Sequence, residues 1–392
     1  MTAPASLGVA VIGAGMAGRA HAAGYRAATS MFDTDLPEVR LVAIADAYEP
    51  FAVDAAKRYG YERAETSWEA IVRAPDIDVV SVVIANELHR PVVGALLAAG
   101  KHVLCEKPMA PSVEDAKAMV VAAEQAGTCA GVGFSYRRTP GINAIREQLR
   151  AGSIGPVQHF NGRYWCDYAQ NPRAPISWRY RGGPGSGALA DIGSHLVDLG
   201  EYLCGPVRSV QGAVFQTYTA QRPVPLGVTV GHAAGAVGSE TERVENEDLA
   251  TFTATFESGA VGTYSVSRVA HGLPNALAFE VFAENGAAAF DLNRPGEFVF
   301  ADHGPEAVTN GYRTVLIGPG HPYIRQGLAM DFPSVGHGQN DLFAWQARAF
   351  LDQVAGLGKL PPLASFAEGL HNLEVLAAIT QSAVSGGETV RL

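Results

Sequence analysis

At 392 residues the chain exceeds what one hydrophobic core ordinarily serves, so two domains are expected. Hydrophobic residues make up 47% and charged residues 17%, which provides for a sizeable core and excludes a disordered chain. The formal net charge is −10 with no basic stripe, which argues against nucleic acid and against an anionic membrane surface as partners.

The first apolar run has no basic segment before it and leads directly into a strand and a glycine motif, so no signal peptide is read. The longest apolar runs are too short or too interrupted by glycine to span a bilayer, and a cytoplasmic protein is expected. Strands are predicted over residues 8–12, 39–45, 79–84 and 102–105, with helices over 16–30, 50–59, 88–99 and 112–126 between and after them. Short buried strands separated by helices point to an α/β fold with a doubly wound parallel sheet, placed at residues 1–133. The pattern then changes. Helices are predicted over 141–151 and 188–204, then strands over 207–218, 250–256, 260–267, 278–283 and 287–292, with helices returning at 341–354 and 366–385. Successive strands without intervening helices predict an antiparallel sheet in an α+β domain over 134–392. Residues 221–245, rich in glycine, proline and polar groups, read as a long loop.

The run Gly13-Ala14-Gly15-Met16-Ala17-Gly18 follows the first strand and opens the first helix. In that setting it is a dinucleotide signature. Gly13 permits the tight turn, Gly15 lets the backbone of Gly15, Met16 and Ala17 approach a pyrophosphate, and Gly18 allows close helix packing. Asp46 closes the second strand, where an acidic side chain bonds ribose hydroxyls. It lies 28 residues after Gly18 rather than about 20, which the stretch MFDTDLPE explains as an insertion. No Arg or Lys stands near Asp46 to take a 2′-phosphate and Glu49 would repel one, so NAD is favoured over NADP. The alternative for Asp46 is a helix N-cap.

The strand at 102–105 ends in Glu106-Lys107-Pro108, at the carboxyl edge where ligands of open sheets sit. Lys107 is a donor suited to a substrate hydroxyl; the alternative is a solvated surface lysine. Asp191 and His195, four apart in a predicted helix, share one face, and Asp198 continues it. Leu189, Ile192, Leu196, Leu199 and Leu203 form the apolar stripe, which turns the polar face towards a cleft. A histidine titrating near neutrality beside an orienting carboxylate is suited to general-base work; the alternative is an ordinary surface pair. Cys105, Cys129, Cys166 and Cys204 lie too far apart for metal spacing and read as reduced, mostly buried thiols. His21, Asp46, His89 and His102 likewise show no ligand spacing, so no metal is expected.

The ordered set of GAGMAG with Asp46, EKP at 106–108, YRRTP at 136–140 and the glycine-flanked D-I-G-S-H-L-V-D helix resembles the glucose–fructose oxidoreductase, inositol dehydrogenase and rhizopine-catabolism (Gfo/Idh/MocA) family over nearly the whole chain. The resemblance implies an N-terminal Rossmann domain and a C-terminal domain with a large, mainly antiparallel open sheet. It implies Lys107, Asp191 and His195 as the catalytic trio, with His195 as proton acceptor and all three touching substrate. It also implies Asn86 and His89, Glu106, Lys107, and Trp178 with Arg179 near the nicotinamide half of NAD. The chain departs from the usual pattern at Ala85, where a proline commonly precedes the asparagine. Further implied substrate contacts are Tyr136, Trp165, Tyr168 and His337, for which the alternative is core packing. The implied reaction is oxidation of a ring secondary alcohol of a sugar, anhydrosugar or cyclitol, by a homo-oligomer. A non-catalytic NAD-linked regulator, and an enzyme that retains NAD and passes through a keto-sugar, remain alternatives on the same fold.

Overall fold

The computed structural model describes residues 6–32, 35–227, 235–302, 309–325, 330, 332 and 336–392. They fall into two compact units. One holds the described residues up to Pro140 and those within Gly318–Leu373; the other holds those within Gly141–Ile317 and Glu374–Leu392. The sequence reading assigned all of 134–392 to the second domain, whereas residues 318–373 pack with the first unit.

The first unit is built on a six-stranded parallel sheet: β1 (Ser6–Ile12), β2 (Glu38–Ala45), β3 (Arg63–Glu65), β4 (Val79–Val82), β5 (His102–Cys105) and β6 (Ala130–Val132), in the spatial order 3-2-1-4-5-6. Helices α1 (Met16–Ser30), α2 (Glu49–Tyr59), α3 (Trp68–Arg73), α4 (His89–Ala98) and α5 (Val113–Ala126) lie between them in sequence. The strands are apolar on both faces because helices cover both, which is why VAVI and VVSV read as unbroken runs. Ser67 and Ser112 accept hydrogen bonds from Ala70 and Asp115 amides and so start α3 and α5; each such cap contributes about 1 kcal/mol. Sequence reading missed β3, α3 and β6, all short.

The later part of this unit begins beyond Pro140 in sequence. Its helix α8 (Gln339–Val354) packs on α1, and Leu363, Ala364 and Phe366 join the same cores as the sheet. Arg138 fastens this segment: its guanidinium donates to the Tyr323 hydroxyl and to the carbonyls of Pro361 and Pro362, while Arg137 pairs with Glu368 at 2.6 Å.

The second unit carries helix α6 (Pro140–Arg150, from its second residue), helix α7 (Ser194–Cys204), the end of α9 (Phe366–Val384) and a nine-stranded mixed sheet. The sheet strands are β7 (Val157–Trp165), β8 (Val207–Gln216), β11 (Leu249–Phe256), β12 (Val261–Ser267), β13 (Ala276–Ala283), β14 (Gly286–Asp291), β15 (Glu297–Ala301), β16 (Arg313–Leu316) and β17 (Val390–Arg391), in the order 16-15-14-13-7-12-11-8-17. All its pairings are antiparallel except β7 with β12. The expected mainly antiparallel sheet is present. The expected loop over 221–245 instead contains a hairpin, β9 (Gln221–Pro225) paired with β10 (Val237–Arg243). Pro223 and Pro225 lack amide donors but fit in a two-stranded ribbon, where each strand is an edge strand. No helix among the described residues is long and apolar enough to cross a membrane.

Candidate active site

The crevice of an open parallel sheet lies where neighbouring strands connect in opposite directions, here beyond the carboxyl ends of β1 and β4. The glycine loop leaves β1 at that point. Gly13 has φ +103°, and a Cβ there would lie 2.0 Å from the Val83 carbonyl oxygen. A Cβ on Gly18 would lie 1.9 Å from the Gly13 carbonyl oxygen. A Cβ on Gly15 would instead project into open space, the volume a pyrophosphate needs. Among the described residues no side chain caps the start of α1, so its first-turn amides are available to phosphate oxygens. Met16 is exposed and Ala17 half-buried at that turn.

Asp46 sits at the end of β2. Its Oδ2 accepts from the Ala14 amide at 2.7 Å and its Oδ1 from the Tyr48 amide at 2.8 Å. It therefore clamps the glycine loop and does not cap α2, whose N-cap is Tyr48. Each oxygen keeps a further lone pair for a ribose hydroxyl. The insertion between α1 and β2 accounts for its long spacing, with part of it, residues 33–34, outside the described residues.

Asn86 opens the short turn before α4. Its Oδ1 is buried without a hydrogen-bond partner among the described residues, as a group awaiting a ligand donor would be. His89 is buried with one ring nitrogen 3.1 Å from the Met109 carbonyl and the other 3.2 Å from that of Ile84. Burial lowers its pKa against the pull of those carbonyls. Its ring nitrogens thus tie the β4–α4 turn to the segment after Pro108.

Glu106 and Lys107 follow β5 directly. Lys107 is half-buried rather than a solvated surface lysine, and a cis bond joins it to Pro108. Burial would raise the Glu106 carboxyl, but its hydrogen bond to His21 at 2.9 Å and the neighbouring Lys107 outweigh burial and leave it below the usual range. Tyr136 is buried and its hydroxyl accepts from Gln339 Nε2 at 2.9 Å. His337 stands edge-on to Trp345, with ring centroids 5.1 Å apart. Burial, with His337 nearby, lowers the neighbouring His321 to about 4.

The remaining expected residues belong to the second unit. Leu189–Gly193 forms a π-helical turn that runs into α7, so Asp191 and His195 are not on one regular α-helix as the four-residue spacing predicted. Such turns are rare and concentrate at functional sites. The Tyr168 hydroxyl donates to Asp191 Oδ2 at 2.6 Å. Burial, then the Asp191 charge, pushes the Tyr168 phenol well up, so it remains a donor. His195 is 9% exposed and Asp198 3%, which corrects the expectation of an open polar face and excludes a surface pair. Trp165 is anchored by its indole N–H to Ser265 Oγ at 3.0 Å, under the Arg163 guanidinium. Trp178 is 69% exposed, with the Arg179 guanidinium 4.3 Å from its ring centroid.

Three consecutive residues missed by sequence reading hold this region. Glu247 accepts from the amides of Gly185, Gly187 and Leu189. Asn246 donates to the carbonyls of Arg179 and Arg181, and Asp248 pairs with the buried Arg268, which itself reaches the Arg179 carbonyl. They fix the backbone on both sides of the glycine-rich segment while Trp178 points outward. Their only signal is an acidic, amide-rich run before an apolar strand, which reads equally as an ordinary loop.

The comparisons with known proteins agree with this geometry. Residues 7–134 match the oxidoreductase family model with an NAD-binding Rossmann fold, and residues 142–289 match the Gfo/Idh/MocA C-terminal domain. The chain belongs to the Gfo/Idh/MocA oxidoreductase family. A levoglucosan dehydrogenase of Pseudarthrobacter phenanthrenivorans is 36% identical over 383 residues, 96% of this chain and 96% of its own length. A D-glucoside 3-dehydrogenase of Escherichia coli is 31% identical over 230 residues, 55% of this chain and 60% of its own. A solved levoglucosan dehydrogenase in complex with NADH and levoglucosan has a TM-score of 0.87 at 34% identity, covering 98% of this chain and 99% of that one. This Gfo/Idh/MocA member is thus an oxidoreductase whose cofactor is NAD. The glycine loop, Asp46 and the unpartnered Asn86 oxygen fit that dinucleotide.

Proposed function

We propose that the protein oxidises a ring secondary alcohol of a sugar, anhydrosugar or cyclitol to a ketone. The observation that carries this reading is the likeness, over 98% of the chain, to a dehydrogenase solved with NADH and levoglucosan. Bound NAD supplies the hydride acceptor. The protein moves the proton. His195 takes it from the reacting hydroxyl, Lys107 donates to the same oxygen as it gains charge, and Asp191 orients substrate and imidazole. Tyr168 holds Asp191 through a 2.6 Å hydrogen bond. Glu106, Asn86, His89, Trp178 and Arg179 lie towards the nicotinamide half, and His89 also steadies the turn that carries Asn86. Tyr136, Trp165 and His337 line the sugar, and residues 1–133 bind NAD and supply Lys107 while 134–392 carry the other substrate groups.

The chain works as a homo-oligomer through the open sheet. Val261, His159 and Phe282 are cross-strand neighbours on β12, β7 and β13, and Val261 and Phe282 are exposed there, as a partner surface requires. Four free cysteines suit a reducing, cytoplasmic compartment.

The test is NADH formation at 340 nm over a panel of levoglucosan, glucosides, inositols and free aldoses, with light scattering for the assembly. At least one ring alcohol should be turned over. A protein that binds NADH yet oxidises none of them is instead a regulator, and one that keeps NAD through purification and releases no NADH uses it within a closed cycle.

A further inference from the structure

Helix α1 does more than present its N-terminus. Its inner face carries His21 and Tyr25, one turn apart and both buried. Opposite them, the apolar strand β4 contains one polar residue, Ser81, fully buried. The Tyr25 hydroxyl lies 2.9 Å from Ser81 Oγ, Ser81 Oγ lies 3.2 Å from His21 Nδ1, and His21 Nε2 lies 2.9 Å from Glu106 Oε1. The second oxygen of Glu106 accepts the main-chain amide of Lys107 at 3.1 Å.

The hydrogens in this chain have one arrangement that leaves no donor unused. Burial drives the Tyr25 phenol pKa far up, so its proton stays on. Were His21 to donate from Nδ1, Ser81 would accept there, and either its own hydroxyl proton or that of Tyr25 would be stranded in a fully buried site. The satisfied arrangement runs one way: Tyr25 donates to Ser81, Ser81 to His21 Nδ1, and His21 Nε2–H to Glu106. It requires a neutral imidazole and an ionised carboxylate. Space enforces the carboxylate's place as well. A Cβ on Gly133 would lie 2.6 Å from Glu106 Oε1, so only bare backbone fits on that side. The other titratable groups that feel this carboxylate are Lys107 beside it, His89 from α4 and the Cys105 thiol.

We infer that His21 is a positioning residue: as the last donor of a buried Tyr25–Ser81–His21 chain, it holds Glu106 ionised in the one rotamer that anchors the backbone of Lys107. This deepens the proposed function, because its kinetic consequence rests on Lys107 acting on the reacting hydroxyl. His21 itself touches neither substrate nor cofactor in this scheme.

The test compares His21→Leu, which removes the donor, with His21→Gln, which can donate to Glu106 and accept from Ser81. Two readouts are taken on the full chain. In protein carrying 13C at glutamate carboxyls, with the Glu106 resonance assigned through Glu106→Gln, His21→Leu should raise the Glu106 titration midpoint by about one pH unit or more, and His21→Gln should restore it. In steady-state kinetics His21→Leu should lower kcat about 10- to 100-fold with the NADH dissociation constant, from fluorescence, within about threefold, while His21→Gln recovers most of the loss. An unmoved Glu106 titration in His21→Leu overturns the inference, as does a Gln variant as impaired as the Leu variant on both readouts. A fall in NADH affinity matching the fall in kcat also overturns it, since it would make His21 a cofactor-binding residue. If the wild-type chain oxidises no sugar, the dehydrogenase reading fails while the carboxyl titration still decides the role of His21.

Discussion

Each unit places a buried carboxylate under a loop expected to carry function, and the two are held in opposite ways. Glu106, in the first unit, has side-chain partners, and its affinity for a proton falls below the ordinary range despite burial. Glu247, in the second, is surrounded by main-chain amides, with Arg268 contributing least. Burial outweighs them all and its affinity for a proton rises. Three amide dipoles can shape a loop without fully replacing the water a carboxylate has lost, whereas an imidazole donor and an adjacent ammonium can. The first acid suits a place where charge matters, and the second a place where shape matters.

The comparison can be broken at several points. The largest effect should follow His195→Ala, which should reduce kcat about 100- to 10,000-fold and leave the NADH dissociation constant nearly unchanged. Asp46→Ala should do the reverse, weakening NADH about 10- to 100-fold by fluorescence titration, because it removes a charged acceptor and frees the Ala14 amide. If both variants move the same constant, the units do not divide the work. Tyr168→Phe should lower kcat about tenfold by releasing Asp191, with little change in thermal stability. Glu247→Gln should cost about 1–3 kcal/mol in urea unfolding, since an amide offers one acceptor where the amides of Gly185, Gly187 and Leu189 use two oxygens.

The pH dependence of that stability sharpens the contrast. Glu247 binds its proton more tightly in the folded chain, so wild type should lose stability relative to Glu247→Gln as pH rises from the ordinary glutamate value of about 4.3 through the raised folded value. Glu106 binds its proton less tightly when folded. Wild type should therefore lose stability relative to Glu106→Gln as pH falls from about 4.3 through the lowered folded value. Urea midpoints across that range should show slopes of opposite sign. Equal signs would mean that the two acids are held alike.

The sequence made the first unit easier to read than the second. Helix 16–30 and strand 102–105 appear where periodicity placed them, because a two-sided core demands continuous apolar strands between amphipathic helices. β3 and β6 escaped because three residues are too few to show a period. β7 is central to the second sheet yet reads VQHFNGRYW, with polar residues towards solvent and no unbroken apolar run. The π turn at Leu189–Gly193 is invisible to a four-residue spacing rule, which places Asp191 and His195 on one α face regardless. The candidate residues themselves were legible as types, from glycines, an acid, a lysine and a histidine in sequence order. Their partners were not: nothing local in the sequence links Tyr168 to Asp191, Gln339 to Tyr136 or His21 to Glu106, contacts spanning from 23 to 203 positions.

The pairing of Val132 with Ala364, together with Leu363 seated against Gly131, closes the free margin of the nucleotide-binding sheet with residues made more than two hundred positions later. On the ribosome the six strands are therefore all synthesised long before their last neighbour emerges. The half of the enzyme translated first is completed only near the end of synthesis, and through the interval it carries an uncovered β6 and missing core at Phe350 and Phe366. A fragment ended at residue 140 would keep that unfinished edge permanently, and would have to be made together with the returning segment to be a faithful cofactor-binding half.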